Sequence, residues 1–66
     1  MEQIKMLVDN IHKEVPKFYV SIENGYKPKG LIYINDELRF STEGVSTLDI
    51  IFSYCAAFEA ALRLRK

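Results

Sequence analysis

One cysteine, one histidine, no tryptophan and no excess of either charge leave this 66-residue chain short of most groups on which chemistry is built. A lone Cys55 has no disulfide partner in its own chain, and one cysteine with one histidine cannot furnish a structural zinc set. No cross-link therefore makes up for a small core. Set in an apolar helix, Cys55 reads as a small buried hydrophobe in a reducing, cytoplasmic setting. Nine basic and nine acidic residues cancel, which argues against a protein whose main task is neutralising a phosphate backbone. No run approaches the roughly 18 apolar residues of a membrane span, so no membrane partner is expected. The first residues lack the basic flank and apolar block of a signal peptide.

Catalytic and ligand signatures are missing as well. General acid/base work needs paired groups converging in a pocket, and His12 falls on the polar side of the first helix, where it reads as a solvated surface residue. Asp49 suits the first turn of a helix, and Asp36 and Glu37 suit a turn. No catalytic residue, cofactor or metal is expected, and the chain reads as a non-enzyme.

What the chain does have is apolar surface. Residues 46–66, STLDIIFSYCAAFEAALRLRK, form the longest periodic segment. Leu48, Ile51, Phe52, Cys55, Phe58 and Leu62 make one stripe at helical spacing, and Ile50, Tyr54, Ala57, Ala61 and Leu64 make a second beside it. One sheet can cover the first stripe and another helix or chain the second. Ser46 or Thr47 is the expected N-cap, with Asp49 three residues after Ser46 approximating a capping box.

Residues 1–15 read as an amphipathic helix with Ile4, Leu7, Val8, Ile11 and Val15 on one face, ended by Pro16. Residues 17–22, KFYVSI, alternate as a strand, and Asn-Gly, Pro28 and Gly30 mark residues 23–30 as a loop. Strands over 31–34 and 37–42 flank Asn35-Asp36, two residues that tolerate positive backbone angles. The fold expected is one α+β domain over residues 1–66 with an αβββα order: a three-stranded antiparallel meander carrying two helices on one face.

Register decides what the other face holds, because a one-residue slip exchanges the two faces. A two-residue turn pairs Tyr33 with Leu38 and Leu31 with Phe40; a three-residue loop gathers Ile32, Ile34, Leu38 and Phe40 instead. The first is preferred. In either register both faces hold apolar residues, and the uncovered one carries either Ile32 and Ile34 or Leu31 and Tyr33, together with Tyr19. With Tyr54 of the second helical stripe, these six residues are the candidate protein-binding set. The leading expectation is a non-catalytic protein-binding module acting as a regulator or inhibitor, with a protein partner and a homodimer both expected. The alternative is nucleic-acid binding through Lys27, Lys29, Arg39, Arg63, Arg65 and Lys66, with Tyr26 free to stack on a base.

Two resemblances bear on these readings. Pro16-Lys17-Phe18-Tyr19, the loop from Gly25 to Pro28, and Ala56-Ala57 with Ala60-Ala61-Leu62 resemble the first strand, strand-linking loop and last helix of the double-stranded RNA-binding domain. That likeness implies the same αβββα plan and contact with RNA. The lysine cluster with which that family grips phosphates is matched here by Thr47, Leu48 and Ile51, and its loop histidine by Lys27. Leu31-Ile32-Tyr33-Ile34-Asn35-Asp36-Glu37 and the segment from Glu43 to Ile51 are similar to small phage-encoded inhibitors of CRISPR nucleases. This second likeness implies a small inhibitor or regulator from a phage or other mobile element.

Overall fold

The computed structural model describes residues 2–65. Its elements run α1 (Glu2–His12), β1 (Phe18–Glu23), β2 (Lys29–Ile34), β3 (Glu37–Glu43) and α2 (Thr47–Leu64). The strands form one antiparallel sheet in the order β1-β2-β3, giving the αβββα, α+β plan. Both helices pack on one face. Ile4 and Ile11 of α1 and Ile51 and Cys55 of α2 close over Phe18 and Ile32 of the sheet, and Val20, Ile22, Ile34, Phe40, Tyr54, Phe58 and Leu62 extend the cluster. Phe18 is fully buried against Phe58, with ring centroids 5.1 Å apart. Full burial of such a side chain contributes roughly 1.5–3 kcal/mol.

Regular helix α1 stops at His12, short of the expected residue 15. Pro16 forces the chain to tighten first: Lys13 and Glu14 donate to carbonyls three residues back, and Val15 N–H bonds the Ile11 carbonyl at 2.7 Å. His12 is not solvated as expected. It is half-buried, and its Nε2 donates to the Phe18 carbonyl, an oxygen that only accepts, so this nitrogen carries hydrogen. The bond ties the end of α1 to the start of β1.

Strand β2 begins at Lys29, inside the segment read as a loop. Gly30 lies in mid-sheet between Ile22 and Thr42, and a Cβ placed on it would stand 2.7 Å from Ile51 Cγ1 and 3.0 Å from Thr47 Cγ2. This glycine serves the close approach of α2 to the sheet rather than a turn.

The hairpin is two residues long, with φ of 55° at Asn35 and 66° at Asp36, and Tyr33 pairs with Leu38 as preferred. The expected Leu31–Phe40 pair does not form. Arg39 is an extra residue in β3, so the register shifts there and Ile32 pairs with Phe40, Leu31 with Ser41. The bulge carries Phe40 from the outer face to the inner one, where it stacks on Tyr54 at 5.0 Å.

The start of α2 also differs from expectation. Ser46 occupies the N-cap position, but its side chain makes no capping bond and the capping box with Asp49 does not form. Thr47 turns inward instead, fully buried, with Oγ1 donating to the Pro28 carbonyl at 3.0 Å. Placing Thr47 inside rotates the helix. The buried stripe is Thr47, Ile51 and Cys55 with Tyr54, Phe58 and Leu62 beside it, and Leu48 and Phe52, expected within the first stripe, are each 37% exposed at its margin.

Candidate protein interface

Alternation along three strands gives the face that α1 and α2 leave uncovered. Cross-strand rows run Tyr19, Tyr33, Leu38, then Ser21, Leu31, Ser41, then Glu23, Lys29, Glu43. Tyr19 is 51% and Leu38 50% exposed, while Tyr33 between them and Leu31 in the next row are half-buried. The apolar groups thus gather toward the hairpin end of the sheet. Charges surround them: Lys17 pairs with Asp36 at 3.8 Å and Arg39 with Glu37 at 3.1 Å at the hairpin end, and the Glu23-Lys29-Glu43 row closes the other. An apolar, aromatic centre with a polar rim is the anatomy of a protein contact surface.

Of the six candidate protein-binding residues, Tyr19, Leu31 and Tyr33 share this face and three do not. Ile32 is fully buried on the opposite side, Ile34 packs into the core beside it, and Tyr54 is half-buried between Phe40 and Phe58. These three corrections share one cause, since each side chain faces the layer between sheet and helices. Leu38 belongs to the patch and was missed as a site, although its pairing with Tyr33 was readable from the two-residue turn. The second helical stripe stays largely open: Ile50, Ala57, Ala61 and Leu64 are exposed.

The candidate nucleic-acid residues do not converge. Tyr26 is fully exposed in the loop between β1 and β2, with exposed Lys27 beside it. Lys29 sits between Glu23 and Glu43, and Arg39 is paired with Glu37. Arg63 bonds Glu59 at 2.8 Å near the far end of α2, an 18-residue helix about 27 Å long whose start lies by Pro28. Arg65 is exposed beyond it, and Lys66 lies outside the described residues.

Groups able to do chemistry are few. Burial pushes the Cys55 thiol up to about 11, which holds it protonated and unreactive at neutral pH. Among the described residues no cluster of three or more His, Cys, Asp or Glu side chains is placed to hold a metal ion. No described helix is long and apolar enough to cross a membrane. Among the described residues, two of the clefts are lined by residues of the helices. One, about 220 Å³, lies between the C-terminal ends of the helices and is lined by Asn10, Lys13, Glu59 and Arg63 among others. The second, about 290 Å³, lies between α1 and β1 and is lined by Ile4, Lys5, Val8, Val20 and Ile22. Compared with known proteins, the chain matches no protein-family model, no curated protein and no solved structure.

Proposed function

We propose that this chain is a non-catalytic protein-binding module, acting in the cytoplasm as a regulator or inhibitor, and that the outer face of its sheet is the contact surface. The observation that carries this reading is the row Tyr19-Tyr33-Leu38 with Leu31 beside it, held on a rigid sheet that no described helix covers. Tyrosine rings supply contact area with few rotatable bonds, and the balanced rim charges set register rather than bulk attraction. Homodimerisation, and an origin in a phage or mobile element, belong to the same proposal. The test is differential capture from the native host with wild type and a Tyr19→Lys/Leu38→Lys variant, after circular dichroism has shown the variant folded. A protein held by wild type and lost by the variant, and then reconstituted with purified components, supports the reading. Equal retention by both sinks it.

One observation favours nucleic-acid binding as a second reading: Tyr26, fully exposed beside Lys27, offers a ring for stacking next to a cation. The likeness to the double-stranded RNA-binding domain belongs with it. Retention of a duplex RNA or single-stranded probe that weakens steeply with added salt would favour this reading, and no retention at low salt would remove it.

A further inference from the structure

The edge of β1 combines unpaired backbone with an apolar groove and an unpartnered cation. Asn35 N–H bonds the Lys17 carbonyl at 3.1 Å, so along the alternating antiparallel ladder Tyr19, Ser21 and Glu23 turn their backbone groups into β2. Phe18, Val20 and Ile22 turn theirs outward. Phe18 is already satisfied, its N–H by the Val15 carbonyl at 3.2 Å and its carbonyl by His12. The N–H and C=O of Val20 and of Ile22 have no partner among the described residues. The side chains of these same two residues form the floor of the 290 Å³ groove, with Ile4 and Val8 of α1 as its wall and Lys5 as its one charged member. Lys5 makes no ion pair with any described residue.

We propose that this edge binds an extended peptide strand of a partner protein, one carrying a branched apolar residue and, two positions away, a carboxylate. Each requirement comes from a different group. The outward N–H and C=O of Val20 and Ile22 demand β-strand backbone, the strand-addition mode of peptide recognition. Residues of an added strand alternate, so every second one enters the groove, where Ile4, Val8, Val20 and Ile22 offer only apolar contact. The next residue on that side passes Lys5, whose ammonium selects a carboxylate. A second copy is a poorer occupant, because two β1 edges paired about a two-fold bring two Lys5 ammonium groups to one seam. The proposal stands without the outer-face reading, since different backbone groups and a separate cavity carry it.

The test uses the isotope-labelled full chain and two acetylated, amidated peptides, Thr-Ile-Thr-Glu-Thr and Thr-Glu-Thr-Ile-Thr, which cover both strand directions. The expected result is that one of them, at millimolar concentration, shifts the Val20, Ile22, Ile4 and Val8 amide signals and slows hydrogen exchange at Val20 and Ile22. N-methylation of the peptide residues whose N–H groups face the edge, isoleucine and glutamate in antiparallel pairing or the third and fifth residues in parallel pairing, removes the strand-forming donors and weakens binding on the order of tenfold or more. Lys5→Glu, an exposed substitution that leaves the fold intact, weakens it roughly threefold to fivefold. Four outcomes overturn the proposal: no shifts with either peptide, equal binding of the N-methylated form, shifts confined to Tyr19, Tyr33 and Leu38, or Val20 and Ile22 amides already protected in a free protein that sediments as a dimer.

Discussion

Gly30 and Ile51 meet at the point where α2 rests on the sheet, so closely that a methyl group on the glycine would stand 2.7 Å from Ile51 Cγ1 and 2.9 Å from Cδ1. Both sides of the contact are fixed, one by strand pairing on two sides and the other by full burial. Gly30→Ala is expected to cost about 1–3 kcal/mol through overpacking, despite the gain in strand propensity. Gly25→Ala, where nothing lies within 4 Å, is expected to be near neutral. Ile51→Ala, which removes both Cγ1 and Cδ1, should abolish most of the extra Gly30→Ala loss, and urea titration of the four chains as a double-mutant cycle measures that coupling. Additive losses would mean that the helix does not sit on Gly30.

Adjacent residues of α2 invert the usual size rule. Ile51 is fully buried, whereas the larger Phe52 is 37% exposed on the margin. Ile51→Ala should therefore destabilise by about 2–5 kcal/mol, the range for deleting a buried aliphatic side chain. Phe52→Ala should cost no more than about 1–2 kcal/mol, because the residue is already 37% exposed in the folded state. Thermal melts of both variants check the order, and a costlier Phe52→Ala would show the helix turned toward the stripe that spacing alone suggests.

Element order and strand pairing were legible because local signals agreed: Pro16 ends a helical pattern, KFYVSI alternates, and Asn35-Asp36 can hold two positive φ angles. What was not legible depends on partners distant in sequence. Thr47 is buried because the Pro28 carbonyl, 19 residues away, takes its hydroxyl hydrogen, and nothing in the helical pattern announces that. Gly30 looks like a loop residue until α2 is seen lying on it. His12 looks solvated until Phe18 brings its carbonyl to the ring. The bulge at Arg39 is the case that matters most for the site. It lets Leu38 remain outside with Tyr33 while Phe40 goes inside, so one strand obeys both registers, each over part of its length.

That bulge can be tested by removing it. Deleting Arg39 puts Phe40 directly after Leu38, so that uninterrupted alternation itself pairs Phe40 with Ile32 and keeps the ring on the inner face. Its stacking on Tyr54 and its place in the core are then kept, so the deletion should cost clearly less than Phe40→Ala, which removes both and should cost at least about 2–3 kcal/mol. Arg39→Ala keeps the residue count and loses only an exposed pair with Glu37, so it should change stability by less than about 0.5 kcal/mol. A deletion as costly as Phe40→Ala would show that Arg39 is not the extra residue of the strand.

Cys55 predicts a stability change at alkaline pH. Burial raises its thiol from the ordinary 9.0 to about 11, so the folded chain holds a proton that the unfolded chain releases. The associated stability is fully present below pH 9 and is lost as pH rises from 9 toward 11, on the order of 2 kcal/mol in all. Cys55→Ala should be less stable at neutral pH by about 1–2 kcal/mol for the lost packing, yet show a shallower decline across the same alkaline window. Urea midpoints at pH 7 and across that window compare the two. The intact chain should react with a thiol-specific reagent only as fast as it unfolds, and rapid labelling of the native state would contradict burial.

The turn offers a substitution expected to stabilise. Asp36 holds φ at 66°, a left-handed geometry that costs a side-chain-bearing residue on the order of 1 kcal/mol and costs glycine nothing. Asp36→Gly makes the sequence Asn-Gly, the pair best suited to two successive positive φ angles in a two-residue hairpin. Against that gain stand the entropy of the glycine in the unfolded chain and the loss of the exposed 3.8 Å pair with Lys17, the latter contributing little in water. The balance should be a stabilisation of about 0.5 kcal/mol, whereas Asp36→Val, β-branched at the same φ, should destabilise by about 1–2 kcal/mol. Because the turn pins the Tyr33–Leu38 pair, the glycine variant should also narrow the exchange rates of the outer-face amides without altering their surface. A destabilised Asp36→Gly would indicate that the ion pair, and not backbone geometry, selects the residue at this corner.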